Sequence, residues 1–239
     1  MKPALVVITV LGATGCVETV PVRDTVVGAP LAAPFAADRC AVGPSSSNEH
    51  DERFESGNVS ASYPVYALGC VEGSRIVNAA ITAYVGARVR DALSANGQLA
   101  LKCETIGWVG VYLSVICTEW SYSGGAHPFH ASTTLNFAIQ GRATRRIELG
   151  DLFRDGIDGG ELLGRLAEPT LRARGVTITG TIRARDFLLT NEGIVVHFPE
   201  YSVGAYIDGV QNVLIPFREL DGLFRPGTPH LGSSHVQAT

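Results

Sequence analysis

The chain has 239 residues, a formal net charge of −4 at pH 7 and 46% hydrophobic residues. That length is enough for one large domain, or two small ones packed together, with a core that needs no metal or disulfide. The mild, mixed charge forms no basic face, so we expect no nucleic-acid partner. Apart from the N-terminal segment, no apolar run approaches the ~20 residues that a membrane-spanning helix needs.

The first residues are organised like a bacterial export signal. Lys2 precedes a short apolar run, Ala4 to Leu11, and Ala13-Thr14-Gly15 then lies directly before Cys16. Signal peptidases accept small side chains at the cleavage point, and a cysteine just after it resembles the lipobox of lipoproteins, whose thiol is acylated. We therefore predict a signal peptide over residues 1–15 and lipidation of Cys16. Because Ala13 stands where a lipobox usually has Leu, soluble release and a buried N-terminal strand are the alternatives.

Residues 16–39 carry the lipid and then continue as a Pro/Ala-rich stretch without clear periodicity, which predicts a tether. The remaining cysteines are Cys40, Cys70, Cys103 and Cys117. An even number in an exported chain predicts two disulfides, with three connectivities open and four buried thiols as the alternative if the chain is not exported. Because no CxxC pair and no histidine stand at ligand spacing, we expect no metal site and no cofactor.

The first elements expected along the chain are a strand and a long helix. Residues 58–66 alternate with period two, and Pro64 within them indicates an edge position. Ser74 is suited to cap a helix that extends to about Ser94. Apolar side chains recur along that helix every three or four residues, but Arg88 and Asp91 fall in line with the apolar stripe.

Two β-rich runs, residues 98–106 and 109–121, predict a hairpin with its turn at Gly107-Trp108. Such a turn places Cys103 opposite residues 111–113 and Cys117 about 13 Å further along, at ~3.3 Å per residue. A Cys103–Cys117 bridge is therefore disfavoured, since a disulfide needs Cα atoms within ~7 Å. We predict instead that at least one bridge ties Cys40 to Cys70 or to the sheet.

The second half of the chain mixes strands and helices. After a strand at about 130–139, Asp158 is suited to cap a helix over 161–174, which Gly175 closes and Pro169 should kink or break. We further expect strands at 176–182, 187–190, 194–198 and 213–217, a helical turn at 218–224 and a disordered tail over 226–239.

Two segments carry a resemblance to a known family. The first has GGAHP at 124–128, followed by LNF at 135–137 and LGDLF at 149–153; the second is FLLTNEGIVVHFPEY at 187–201, followed by VLIPF at 213–217. In this order they resemble the C-terminal extracellular domain of RsiV-type anti-sigma factors, which also accompanies PdaC-type deacetylases and occurs in secreted mycobacterial antigens. The strand and helix between residues 58 and 94 resemble the smaller module that usually precedes this domain.

The resemblance implies an α+β fold, an antiparallel sheet with helices packed on it. It implies a small N-terminal α/β module over residues 40–97 and an RsiV-like C-terminal domain over residues 98–225. In RsiV-type proteins the domain is a sensor that binds lysozyme. The sequence carries no recognisable anti-sigma segment and no deacetylase domain, so we expect neither signalling nor deacetylation.

His127 is the first candidate for chemistry. It follows Gly124 and Gly125 and precedes Pro128, a pattern typical of a tight turn whose histidine bonds backbone groups. The alternative is a catalytic base or a metal ligand. A hydrolase would also need a positioned nucleophile and an orienting acid, and the sequence offers no recognisable pair.

Pro199 and Tyr201 are the second candidates, since an exposed tyrosine beside a proline turn can anchor an interface. The alternative is that Tyr201 packs under its loop. Several loop acids could supply paired carboxylates, but acids near a helix start are more often caps; these are Glu119, Asp151, Asp155, Asp158 and Glu161.

Together, the residues and the resemblance predict an exported lipoprotein of the bacterial cell envelope. We expect it to face outside the cytoplasmic membrane and to touch that membrane only through its lipid, with secretion as the alternative location. Its domain should bind a lysozyme-like extracellular protein or peptidoglycan and should not be an enzyme. The alternative function is a cell-wall-directed hydrolase that uses His127.

Overall fold

The computed structural model describes residues 48–205, 208–226 and 228, all of which belong to one compact unit, Phe35–Thr239. The predictions for the signal peptide, Cys16, the tether, Cys40 and nearly all of the tail lie outside the described residues.

The fold is α+β, as predicted, with two sheets and helices packed on them. The larger sheet has strand order β1 to β6: β1 (Asn48–Ser56), β2 (Val59–Ala67), β3 (Gln98–Val109), β4 (Tyr112–Tyr122), β5 (Phe129–Ala138) and β6 (Arg145–Arg146). The smaller sheet has strand order β7 to β9: β7 (Asp186–Leu189), β8 (Gly193–Phe198) and β9 (Gln211–Pro216). The helices are α1 (Val71–Ser94), α2 (Leu149–Leu152) and α3 (Gly159–Ala173), with 3-10 turns at Gly141–Ala143 and Phe217–Glu219.

Each sheet has its own hydrophobic core. One core lies between α1 and the six-stranded sheet, and the other includes α3 and the inner face of the three-stranded sheet. The pairing of β2 with β3 is parallel and every other strand pair is antiparallel. Helix α1 makes the crossover that such a parallel pair requires, so one sheet includes strands from both sides of the boundary predicted at residue 97.

Helix α1 begins earlier than the sequence pattern suggests. Cys70 occupies the N-cap position, so the prediction that Ser74 caps this helix is wrong. The Ser74 hydroxyl instead accepts a hydrogen bond from the Leu68 N–H at 2.8 Å and donates to the Cys70 carbonyl at 3.0 Å. Ser74 therefore lies in the first turn of α1 and fixes the chain that enters the helix.

Pro64 lies where β2 has lost one of its two neighbours. Strand β2 pairs with β3 only over Val59–Ser62, whereas its pairing with β1 continues to Ala67. Beyond Ser62 that side of β2 is an edge, which a proline tolerates because it has no N–H to donate. Further along this side, the Asn78 side chain accepts from the Tyr66 N–H and donates to the Tyr66 carbonyl, both at 2.9 Å.

The β3–β4 hairpin turns later than expected, and this changes the disulfide. The strands pair as far as Val109 opposite Tyr112, so the predicted turn at Gly107-Trp108 is wrong. Gly110 makes the turn with a φ of 57°, a conformation that glycine adopts readily.

With this register and an irregularity between Thr105 and Gly107, Cys103 lies directly opposite Cys117. The two cysteines form a disulfide with a Cα–Cα distance of 3.9 Å, so the prediction that this bridge is disfavoured is wrong. Cys70 is also disulfide-bonded. The predicted link to Cys40 lies outside the described residues.

Helix α3 follows the predicted signals closely. Asp158 is its N-cap and accepts a hydrogen bond from the Glu161 N–H at 3.0 Å. The helix continues through Pro169 without a break. The segment from Val176 to Ile182 runs beside it but forms no strand, contrary to prediction, and the expected turn at 218–224 is a 3-10 turn at Phe217–Glu219.

Candidate binding surface

His127 lies in the exposed connection between β4 and β5. Its Nδ1 donates a hydrogen bond to the Pro128 carbonyl at 2.8 Å, the backbone contact expected of a histidine in a tight turn. Gly124 and Gly125 have φ values of 103° and 117°, which require glycine and make this connection sharp. His127 lines neither the cavity beside Tyr201 nor the cavity at the C-terminal end of α1.

Tyr201 lies after β8, in a turn where its own φ is 64°, and 56% of its surface is exposed. Of the six large hydrophobic residues that are exposed in the described part of the chain, three lie between residues 201 and 214: Tyr201, Val210 and Leu214. Pro199 begins the turn, because its carbonyl accepts hydrogen bonds from the Ser202 N–H at 3.1 Å and the Ser202 hydroxyl at 2.6 Å.

A groove with a volume of about 430 Å³ lies beside Tyr201. One wall is the irregular segment Thr177–Ile182 and the other is Tyr201–Ala205. We refer to it as the β8–β9 groove. The described residues that line it are threonine, isoleucine, glycine, tyrosine, serine, valine and alanine, so none of them carries a charge. Of the candidate residues predicted from the sequence, Tyr201 lines this groove, whereas His127 lies in the connection between two strands of the other sheet.

A second, smaller cavity of about 150 Å³ lies at the C-terminal end of α1. Its floor includes an ion pair in which Arg88 donates to both oxygens of Glu119, at 2.6 and 2.5 Å, and Glu119 is only 3% exposed. This contact raises the pKa of the Arg88 guanidinium. It also explains why a charged residue interrupts the apolar stripe of α1, since Arg88 must reach a buried carboxylate.

Polar side chains, most of them buried, join the two sheets at the centre of the molecule. They are Ser114, Ser132, Thr134, Asn136, Asp186 and His197, which we call the polar seam. Their partners include the backbone of β7, which is an edge strand of its own sheet.

The seam provides β7 with the hydrogen bonds that a neighbouring strand would otherwise supply. Asn136 donates to the Phe187 carbonyl at 2.7 Å, Thr134 accepts from the Phe187 N–H at 3.1 Å, and Ser114 accepts from the Leu189 N–H at 2.9 Å. Ser114 also donates to the Asn136 side-chain oxygen at 2.6 Å. Because unpaired backbone groups are costly when buried, these contacts fix where the small sheet lies on the large one.

At one end of the seam, a serine, a histidine and an asparagine form a hydrogen-bonded chain. His197 Nδ1 donates to the Asn212 side-chain oxygen at 2.6 Å. In the neutral imidazole this leaves Nε2 as an acceptor, to which the Ser132 hydroxyl donates. The order matches that of a nucleophile, a base and an orienting group, but Ser132 and His197 are only 8% and 3% exposed.

The loop acids act as caps and ion-pair partners. Asp158 has its pKa lowered by the Glu161 N–H and by Arg183. Burial alone would raise the pKa of Asp151, but hydrogen bonds from Arg145 and from the Glu148 N–H outweigh it and lower the pKa. Across residues 48–205, 208–226 and 228, no cluster of three metal-ligating side chains is present.

Within the same described residues, no helix has both the length and the hydropathy needed to cross a membrane.

The sequence is similar to one protein family over part of its length. The model of a family described as a protein of unknown function, DUF3298, matches residues 150–218, which include α3, the three-stranded sheet and both walls of the groove. A search of curated proteins gave no match.

Two solved structures have a similar fold. A DUF3298 family protein from Pseudomonas aeruginosa PAO1 is 15% identical, with a TM-score of 0.57, over 75% of this chain and 92% of that one. A member of the same family from Bacteroides fragilis is 16% identical, with a TM-score of 0.52, over 75% of this chain and 92% of that one. At these identities the likeness establishes the α+β fold alone.

The sequence indicates one wall of the groove but not the other. Tyr201 stood out because an aromatic residue follows Pro199. The pattern at residues 176–182 predicts a strand, and nothing local in that sequence indicates that the segment would stay unpaired and form the opposite wall. The seam had one signal, the histidine at 197 within an otherwise apolar run.

Proposed function

We propose that this chain is an exported lipoprotein whose domain binds a ligand outside the cytoplasmic membrane and performs no catalysis. The observation that carries the proposal is the state of the cysteines: every cysteine among the described residues, Cys70, Cys103 and Cys117, is disulfide-bonded. Disulfides persist in oxidising compartments and are rare in the cytosol. The export signal and the Cys16 lipobox in the sequence agree with that compartment.

A binding role is supported by the surface between β8 and β9. The exposed Tyr201 lines the groove, and two further exposed apolar side chains, Val210 and Leu214, follow it closely along the chain. Exposed apolar side chains that gather in one place are typical of interaction sites, and a tyrosine with little rotamer freedom is a common anchor in them.

The ligand we propose is a lysozyme-like extracellular protein, with peptidoglycan as the second choice. Support comes from the resemblance to RsiV-type extracellular domains in the motifs of the sequence. That resemblance names a ligand, whereas the match to DUF3298 is to a family of unknown function. Membrane attachment is proposed to occur only through the lipid on Cys16.

Lipidation is tested by growing cells with a labelled fatty acid. We expect label in the wild-type chain and none in the Cys16→Ser variant. Equal labelling of both chains would contradict the lipid anchor. It would not contradict export, which is supported separately by the disulfides.

Binding is tested by capture on the immobilised chain. We expect the wild-type protein to retain lysozyme or peptidoglycan, and the Tyr201→Asn variant to retain less. Asparagine tolerates the positive φ at this position better than most residues, so the substitution removes the ring while keeping the turn. Failure to retain either ligand would remove both named candidates.

The second candidate function is a cell-wall-directed hydrolase. The hydrogen-bonded chain Ser132–His197–Asn212 is the observation that favours it, and this chain does not include His127, the histidine expected from the sequence. Burial of Ser132 argues against it, since a nucleophile must reach its substrate. Labelling of Ser132 by a fluorophosphonate, or cell-wall hydrolysis abolished by Ser132→Ala or His127→Ala, would favour the hydrolase over the binding domain.

A further inference from the structure

The segment Thr177–Ile182 has the composition of a β-strand. Its threonines and isoleucines are β-branched and favour extended backbone. Its side chains also alternate as in a strand: Thr177, Thr179 and Thr181 are exposed, whereas Ile178 is half-buried and Ile182 is buried. Only Gly180, with a φ of 95°, departs from the pattern.

Among the residues that the structure describes, the segment has none of the main-chain partners that a strand would have. None of the hydrogen bonds within residues 48–205, 208–226 and 228 uses a backbone N–H or C=O of residues 177–182. Helix α3 holds the flanks instead: the Val176 N–H donates to the Leu171 carbonyl at 3.1 Å, and the Ala184 N–H donates to the Gly160 carbonyl at 2.9 Å. A segment held at both ends, with main-chain groups that no other described residue pairs, can serve as a template for another strand on either side of the bend at Gly180.

The opposite wall of the β8–β9 groove is held in shape by its own hydrogen bonds. The Ser202 N–H donates to the Pro199 carbonyl at 3.1 Å, and the Ala205 N–H donates to the Asp208 carboxylate at 2.8 Å. A cavity of about 430 Å³ between two held walls is a preformed site, so a ligand would have little ordering cost to overcome on the protein side.

The chemistry of the groove selects an uncharged ligand whose own main chain can pair. The described lining contains no charged side chain, so an ionic group bound there would lose hydration without gaining a partner. Much of the polar capacity of the Thr177–Ile182 wall is main-chain N–H and C=O, which match the regular spacing of donors and acceptors along an extended polypeptide.

We propose that the β8–β9 groove binds an extended, uncharged polypeptide segment of a partner protein, which adds as a strand beside residues 177–182. The Tyr201 ring contacts the side chains of that segment. This inference rests on the proposed binding function and deepens it, because it assigns the site and favours a protein ligand over a glycan.

The test starts from a displayed library of uncharged nonapeptides selected on the full chain. The tightest peptide is then synthesised in three forms: unmodified, N-methylated at odd amides, and N-methylated at even amides. An added strand pairs through alternate residues, so one methylated form should bind at least about tenfold more weakly and the other should bind nearly as well as the unmodified peptide.

The position of the bound peptide is read by hydrogen exchange and by one pair of variants. The backbone amides of residues 177–182 should become protected when the peptide binds. Tyr201→Asn should weaken binding, whereas Phe129→Asn, which removes another exposed aromatic side chain from the large sheet, should leave it unchanged. Circular dichroism of both variants checks that they are folded.

Three results would overturn the inference: no peptide selected from the library, equal loss of binding with both methylated forms, or protection elsewhere than at 177–182. Displacement of the peptide by soluble peptidoglycan fragments that protect the same amides would make the groove a saccharide site, and would also overturn it. If lysozyme and peptidoglycan both fail to bind while the peptide results hold, the named ligands are wrong and the groove assignment stands.

Discussion

Asn136 is the residue on which the contact between the two sheets most depends. It is 2% exposed and bonds Ser114 at one end of its amide and the Phe187 carbonyl at the other. No other side chain type of this size offers a donor and an acceptor side by side except aspartic acid in its protonated form. The asparagine within the LNF segment is thus explained by a backbone group 51 residues away.

We predict that Asn136→Ala lowers the free energy of unfolding by roughly 2 kcal/mol or more, because it leaves the buried Ser114 O–H without its acceptor and the buried Phe187 carbonyl without its donor. Urea denaturation followed by circular dichroism measures the change. Asn58→Ala is the matched control, since Asn58 is exposed in the β1–β2 turn. Equal stability of the two variants would mean that the seam does not hold the sheets together.

The ion pair of Asp151 should make the stability of the fold depend on pH. Its carboxylate accepts from Arg145 twice, at 2.9 Å each, and from the Glu148 N–H at 2.8 Å, and its pKa is lowered in the folded protein. A carboxyl with a lowered folded pKa contributes stability above its unfolded pKa of ~3.9 and loses that contribution as the pH falls through the folded value.

We therefore expect Asp151→Asn to destabilise the fold at neutral pH, with the difference from wild type shrinking below about pH 4. Urea midpoints measured from pH 7 to pH 2.5 give the comparison. Asp221→Asn, in an exposed turn, should differ little from wild type at any pH. A difference for Asp151→Asn that stays constant down to the lowest pH would contradict the assignment.

At the scale of elements, glycines on α3 decide how closely the groove wall approaches the helix. A Cβ at Gly164 would overlap the Ile182 carbonyl oxygen, and a Cβ at Gly160 would lie 2.7 Å from the Ala184 oxygen. The segment from Ile182 to Ala184 therefore packs directly on the backbone of α3. A larger residue at either glycine would push the segment away from the helix.

We predict that Gly164→Ala destabilises the fold by about 1–3 kcal/mol, because overpacking outweighs the helix propensity that alanine adds. Gly150→Ala is the matched control: Gly150 is also in a helix, but its Cβ would meet nothing within 4 Å. Thermal unfolding measures both. Equal or higher stability of Gly164→Ala would show that residues 182–184 do not rest on the helix as described.

Local signals predicted some elements well and failed where a distant partner decided the outcome. Asp158 and Gly175 bound α3 because capping is a property of adjacent residues. The pattern at 176–182 is that of a strand, yet a strand forms only if another segment pairs with it. The β3–β4 hairpin turns at Gly110, three residues later than predicted. In the resulting register Cys103 lies opposite Cys117.

The candidate site was predictable to a similar extent. Tyr201 could be found because an exposed turn is a local feature. The polar seam could not be predicted, because the Ser114 hydroxyl accepts a hydrogen bond from a backbone N–H 75 residues away. Neither segment contains a sequence feature that indicates this contact. Arg88 was visible as a break in the apolar stripe, but its partner Glu119 was known only once α1 was placed on β4.

For the molecule as a whole, two cores and two sheets are held by three kinds of link: packing, the polar seam and disulfides. The seam ties β4 and β5 to β7 and β8. The Cys103–Cys117 bridge acts within the large sheet, between strands that carry much of the α1 core. Loss of the bridge should therefore weaken the large sheet first, and through it the platform on which the small sheet and its groove lie.

The Cys103–Cys117 bridge spans 14 residues in sequence, and closing a loop of about that length stabilises a fold by ~3 kcal/mol, chiefly by restricting the unfolded chain. We predict that replacing both cysteines with alanine lowers the free energy of unfolding by roughly that amount, and that reduction of the wild type, which also opens the Cys70 disulfide, produces at least that loss. Urea denaturation with and without reductant measures both changes, with the double variant as a control that should respond to reductant less than wild type. Non-reducing peptide mapping of the exported protein should recover the two cysteines in one linked pair. Free thiols at both positions would contradict the pairing, and with it the oxidising compartment on which the proposed function rests.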